Sequence, residues 1–211
     1  MRRHTWSRNQ LTYPGSATRV MVLSETTEEP LTLEECRAHL RLDPIDSDGH
    51  PDDSLVALYL SAARQACENY LGMSLTEKTI MAVIDSFPSD NGGIVLPFGP
   101  VAEITNFSFG EGSDAAVDFT FSPYTNTVYP VTQWPSLRNS EPNAEIRITY
   151  RAAAMGSDAL GPLPFTIKAA ILLQLGHLYE NREDVADKPL VAIANGVRSL
   201  LKPHQIRMSL A

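Results

Sequence analysis

Apolar side chains recur every three to four positions near both ends of the chain and every second position between them, so the pattern predicts helices flanking a run of strands. A first helix begins at Thr32, where Thr-x-x-Glu places Glu35 to reach back to the cap, and Leu33, Cys36 and Leu40 share one face. It ends near Leu42-Asp43-Pro44. A second helix is capped by Asp52 or Asp53 and runs to Leu71, stopping at Gly72. The stripe expected to face inward is Leu55, Leu58, Tyr59, Ala62, Ala66 and Tyr70, with Arg64, Gln65, Glu68 and Asn69 outside. The stretch PFTIKAAILLQLGHLYENRED then opens a third helix at Pro164, and Lys168, Gln174 and His177 interrupt its largely apolar run to Tyr179. Ile167, Ile171, Leu175 and Leu178 form one stripe, while Phe165, Ala169, Leu172, Leu173 and Gly176 cover much of the remaining circumference. More than one face therefore needs covering. Protein must do it, because about 15 apolar positions fall short of the ~20 of a membrane span. Pro189 opens a fourth helix, with Leu190, Ile193, Val197, Leu200 and Leu201 on one side and Pro203 closing it.

Between the helix pairs the period becomes two, which predicts strands at Lys78 to Asp85, Ile94 to Leu96, Glu103 to Phe109, Val117 to Phe121, Thr127 to Tyr129 and Ala144 to Tyr150. The expected fold is α+β: a four-helix bundle of two N-terminal and two C-terminal helices with an inserted antiparallel β meander. Residues 1–30 read as an extended arm, 31–202 as one domain with its β insertion at about 76–150, and 203–211 as a tail. The loop from Pro130 to Asn143 is polar, with Trp134 its large apolar group, and is expected at the surface.

Composition adds charge asymmetry to this outline. The formal charge is −8, yet the first 20 residues hold Arg2, Arg3, Arg8 and Arg19 and no acid, which leaves 13 basic against 25 acidic side chains in the rest. An acidic body argues against a protein whose main task is gripping nucleic-acid phosphate. The two cysteines, Cys36 and Cys67, sit in helices among apolar neighbours, as in a reducing compartment. Arginines near residue 1 precede no apolar segment of the secretory type.

Motifs for chemistry are sparse. Gly110-x-Gly112-x-x-Ala115 precedes the strand-like Val117–Phe121 rather than a helix, so it reads as a hairpin turn and not a dinucleotide cradle. The acidic linker with Asp43, Asp46, Asp48, Asp52 and Asp53 lacks the first and last ligands of an EF-hand loop. His177 and Glu180 share a helix face but lack the further His or carboxylate pair of a zinc or di-iron site. Neither a P-loop nor Gly-x-Ser-x-Gly occurs. No catalytic residue, cofactor or metal site is expected.

Five stretches together resemble the head-tail connector, or adaptor, proteins of long-tailed double-stranded DNA bacteriophages: LTLEECRAHLRLD, AARQACENYLGMSL, IVLPFGPVAEITNFSF, AEIRITYRA and LPFTIKAAILLQLGHLYENRED. They span roughly Leu31 to Leu201. The resemblance implies a non-enzymatic virion protein, assembled in the host cytoplasm into a ring of about twelve copies under the portal, that continues the DNA channel toward the tail. Its partners would be further copies of itself, the portal protein, a tail-side neck or tail-terminator protein, and DNA passing without sequence-specific binding; no membrane is involved. On this view Lys168, Leu172, His177, Tyr179, Glu180 and Arg182 are candidates for the contact between copies. Lys202, His204, Ile206, Arg207, Met208 and Leu210 are candidates for a portal-docking tail, and Arg2, Arg3 and Arg8 for an arm that meets an acidic partner surface or DNA. The competing readings are a small cytosolic metal-binding protein or enzyme using His177, Glu180 and the linker aspartates, and a tail-completion subunit.

Overall fold

The computed structural model describes residues 19–43, 49–88, 90–109, 117–135, 145–156, 161–181 and 193–205. These residues form two compact units. One is a β unit drawn from 19–25 and 77–152, the other a helical unit drawn from 26–76 and 153–205. The mixed α+β class with antiparallel sheets expected from the sequence is present.

In the helical unit, α1 (Leu33–Leu40) starts with the expected capping box. Glu35 N–H donates to Thr32 Oγ1 at 3.2 Å, and Thr32 N–H donates to Glu35 Oε2 at 2.8 Å. The helix ends two residues earlier than the pattern suggests, at Arg41 in the left-handed region (φ 58°). Helix α2 (Asp53–Leu71) stops at Gly72 (φ 69°), a conformation that suits a residue without a side chain. Its start differs from expectation. Asp52 occupies the cap position, but its Oδ2 accepts a hydrogen bond from the Tyr179 hydroxyl at 2.5 Å and makes no side-chain cap.

The inward stripe of α2 is only partly the one expected: Tyr59, Ala66 and Tyr70 pack at the edge of the core, but its centre lies elsewhere. Val56, Leu60, Ala63, Cys67 and Leu71 are buried, whereas Leu58 is 64% exposed and Ala62 faces solvent. The true stripe lies roughly 100° around the helix from the expected one, a rotation of one residue. Arg64 and Glu68, expected outside, are buried as an ion pair, and Arg64 also binds Glu29. Helix α3 (Phe165–Glu180) packs on α1, α2 and α4 (Asn195–Leu201), with Ile167, Ile171 and Leu175 fully buried as expected and Leu178 partly buried beside them. Val197 and Leu201 of α4 close the same core, and a 3-10 turn follows at Lys202–His204. The expected start of the fourth helix at Pro189 lies outside the described residues. Buried Gln174 accepts the Ala194 N–H at 3.4 Å just where α4 begins.

The β unit holds two sheets rather than one meander. Strands β1 (Arg19–Glu25), β2 (Lys78–Ile84), β7 (Ile146–Ala152) and β4 (Val101–Phe109) form an antiparallel sheet in the order β1-β2-β7-β4. Strands β3 (Ile94–Val95), β6 (Thr127–Pro130) and β5 (Phe119–Ser122) form the other, in the order β3-β6-β5. Strands β4 and β5, on either side of the expected Gly110-to-Ala115 turn, lie in different sheets, β4 pairing with β7 and β5 with β6. The turn itself lies outside the described residues. Tyr150 is fully buried, with its hydroxyl donating to Pro97 O at 2.5 Å. Trp134 is 6% exposed and stacks on Phe87 at 5.0 Å, its Nε1–H donating to Gly92 O. The 130–143 loop, expected wholly at the surface, is thus anchored by its one large aromatic, since burying an indole gains far more than leaving it in water. Its residues 136–143 lie outside the described set.

Candidate assembly surfaces

Helix α3 is apolar around much of its circumference, and the helical unit covers only part of it. Its core side is filled by Ile167, Ala170, Ile171 and Leu175. Helix α1 covers a second strip. Lys168 Nζ lies 3.5 Å from Glu35 Oε1, and a Cβ added to Gly176 would sit 3.3 Å from His39 Nε2, so α1 comes close to the helix there. What remains is the line Phe165, Ala169, Leu173 at i, i+4 and i+8. Phe165 is 87% exposed and Leu173 44%. A phenylalanine left in water beside a leucine one turn pair away is the kind of apolar strip that marks a contact surface.

The candidates named from the sequence fall unevenly on this surface. Lys168 and Tyr179 are engaged within the helical unit, by Glu35 and by Asp52 respectively. Leu172 packs partly against the core. His177 continues the Phe165–Leu173 line by another four residues, and its Nδ1 lies 3.3 Å from the Asn181 amide. Glu180 is exposed at the helix end, and Arg182 lies outside the described residues. Of the tail candidates, Lys202 is exposed and His204 Nε2 is 2.7 Å from Thr166 Oγ1. Gln205, the last described residue, donates to Tyr70 O at 3.0 Å. Ile206, Arg207, Met208 and Leu210, and the arm residues Arg2, Arg3 and Arg8, lie outside the described residues. Phe165 and Leu173 were absent from the candidates although their circumference was visible in the sequence; what was missing was which side α1 would occupy.

The β unit offers a second apolar surface that sequence did not suggest. Residues 19–25, read as arm, form edge strand β1, with Met21 40%, Val22 51% and Leu23 51% exposed. Three consecutive residues point to both faces of the sheet, so β1 is uncovered on both sides, and Leu23 is the extra residue of a bulge against β2. Its ends are clamped by ion pairs, Arg19 to Glu145 and Glu25 to Lys78, the latter at 3.2 Å. Each described basic residue of the β unit faces a carboxylate: besides Arg19 and Lys78, Arg147 meets Glu145 at 3.3 Å and Arg151 meets Glu77 at 3.0 Å. Paired this way, those cations do not make the unopposed basic stripe that a phosphate-binding surface needs.

Among the described residues no group of three or more His, Cys, Asp or Glu is placed to hold a metal. Asp46 and Asp48 of the acidic linker are outside that set. Asp53 is taken by Arg37, whose guanidinium, with the His50 N–H, holds its carboxyl below the usual range. Burial pushes the thiols up, Cys36 to about 11 and Cys67 to about 12, so both are neutral, unreactive core groups. No described helix is long and apolar enough to cross a membrane.

The described residues thus present two uncovered apolar strips, on α3 and on β1, and comparison with known proteins adds what the chain is similar to. Residues 30–106 match the family described as Phage gp6-like head-tail connector protein, which bears out the resemblance over the stretches LTLEECRAHLRLD, AARQACENYLGMSL and most of IVLPFGPVAEITNFSF. About nine tenths of the chain shares its fold with chains of solved particles. It is similar to a chain of the "Neck of empty GTA particle computed with C6 symmetry", with a TM-score of 0.67 and 22% identity, covering 90% of this chain and 98% of that one. A chain of the "Virion of native gene transfer agent (GTA) particle" matches with a TM-score of 0.65 and 22% identity, over 91% and 97% of the two chains. The "Neck of native GTA particle computed with C12 symmetry" gives 0.64 and 20%, over 90% and 98%. No curated protein matches.

Proposed function

We propose that this protein is a non-enzymatic structural subunit of a phage-type neck, located in the virion, where copies join the portal vertex of the head to the tail. The observation that carries the reading is the exposed line Phe165–Leu173 on a helix whose opposite side fills the core: a subunit standing alone would not leave it in water. The connector match over residues 30–106 and the fold shared with neck proteins support the same conclusion. About twelve copies form the ring, in keeping with the C12 and C6 symmetries of the matched particles. Heterologous contacts close such a ring when each copy presents one apolar strip to a different surface of the next.

In this reading the four helices act as a bundle carrying the β insertion, and α3 provides the contact between copies through Phe165 and Leu173, with His177 and Glu180 at its end. The acidic body lines the channel, so DNA slides past without sequence-specific binding. The tail, with Lys202, His204, Ile206, Arg207, Met208 and Leu210, docks on the portal, while Arg2, Arg3 and Arg8 of the arm meet an acidic partner surface or DNA. A tail-side neck or tail-terminator protein occupies the opposite face. Negative-stain imaging of the protein with and without a portal tests the ring: about twelve-fold rings are expected in the mixture, and a monomer under both conditions rejects it. Deleting residues 203–211 is expected to abolish portal binding; unchanged binding removes the tail assignment. An arm with Arg2, Arg3 and Arg8 reversed to Glu is expected not to assemble infectious particles.

A further inference from the structure

Among the described residues the chain passes between the helical and β units at 25–26, 76–77 and 152–153. Within the helical unit, the segments next to the first two of these crossings are tied to one place on α2, and the segment after the third is bonded to the second. Glu29, after the first crossing, accepts from Arg64 Nε at 2.7 Å and from the Ser61 hydroxyl at 2.6 Å. Before the second crossing, Leu75 N–H donates to Glu68 Oε1 at 2.7 Å, and Arg64 Nη1 donates to Thr76 Oγ1 at 3.3 Å. After the third, Met155 N–H donates to Ser74 O at 3.2 Å, and the Ser74 hydroxyl in turn donates to Thr76 O at 2.7 Å. Arg64 also binds Glu68 Oε2 at 2.8 Å, one turn along its own helix.

We propose that Arg64 is a positioning residue, a latch that holds the roots of the first two connections directly and, through Thr76 and Ser74, the root of the third. A guanidinium with a side-chain exposure of 4% is costly to desolvate, and an apolar residue of similar volume would serve a plain core position as well. What an apolar residue cannot supply is a planar fork of donors that reaches Glu29, Glu68 and Thr76 from one point. Glu68, 1% exposed, is the second arm of the latch, because one oxygen takes Arg64 and the other takes the Leu75 amide. The three segments are thereby coupled: loosening one relaxes Arg64 and with it the hold on the others.

Amide hydrogen exchange on the full chain tests this. In Arg64→Met, exchange at residues 26–31, 72–76 and 153–156 is expected to rise about tenfold while the middle of α3 around Ile171 is unchanged. An equal rise in α3 would mean that Arg64 only supports the core, and no rise in the three segments would mean that it holds nothing; either overturns the proposal. Glu29→Gln, at the more exposed end of the network, keeps the variant foldable and isolates the coupling. The latch requires faster exchange at 72–76 as well as at 26–31, and a change confined to 26–31 overturns it.

Discussion

Thr32 and Glu35 hold the start of α1 by a reciprocal pair of bonds, and the Thr32 N–H beside Glu35 is the main reason its carboxyl lies below the usual range. Thr32→Ala is expected to cost about 1 kcal/mol in urea unfolding, the usual value of such a cap. Asp53 is held down likewise, first by Arg37. A carboxyl whose folded pKa is depressed contributes stability that is present above its unfolded value, near ~4, and is lost as pH falls through the folded one. The melting temperature should therefore be level through neutral pH and decline on acidification below about pH 4. The Glu35→Gln, Asp53→Asn double variant should show a shallower acid limb, and an unaltered limb would assign the loss elsewhere. The cysteines titrate in the other direction. Burial raises both thiols, so their contribution is present below the ordinary thiol range and lost as pH climbs through about 11 for Cys36 and about 12 for Cys67. Native protein at pH 8 is expected to resist iodoacetamide, with both thiols alkylated after unfolding in guanidinium.

At the scale of elements, α3 separates two kinds of apolar residue that the sequence alone treats alike. Ile171→Ala empties a fully buried site and is expected to cost about 2–5 kcal/mol by chemical denaturation. Phe165→Asp should leave the subunit's stability within about 0.5 kcal/mol, because an exposed side chain loses little. Helix α2 teaches the reverse lesson. The stripe expected from periodicity is Leu55, Leu58, Tyr59, Ala62, Ala66 and Tyr70, with Arg64 and Glu68 outside. The chain buries the neighbouring stripe because Arg64 and Glu68 find Glu29, Thr76 and the Leu75 amide, partners distant in sequence. Strand β1 was illegible for a related reason: RVMVLSE lacks strict alternation, and only pairing with β2, across some sixty residues, makes it a strand.

For the whole molecule, the uncovered strip on α3 and the uncovered β1 are the surfaces on which the proposed ring is to be tested. The Phe165→Asp, Leu173→Asp double variant is expected to remain a folded monomer with unchanged circular dichroism yet give no rings with portal by electron microscopy. Rings formed at wild-type yield would place the contact between copies elsewhere, with Met21, Val22 and Leu23 of β1 the next surface to alter.

The sequence by itself determined the α+β class, the starts of α1 and α3, the glycine stop of α2, the positions of six strands to within a few residues and the resemblance to connectors. These depend on neighbours three or four residues apart, or on alternation along one strand, so a local pattern suffices. Only the tertiary structure decided that the strands divide into two sheets, that Trp134 anchors its loop, that Arg64 is interior, and that Phe165 and Leu173 are left outside. Each of those depends on which distant segment arrives to cover a face or satisfy a charge, and that is a property of packing rather than of period.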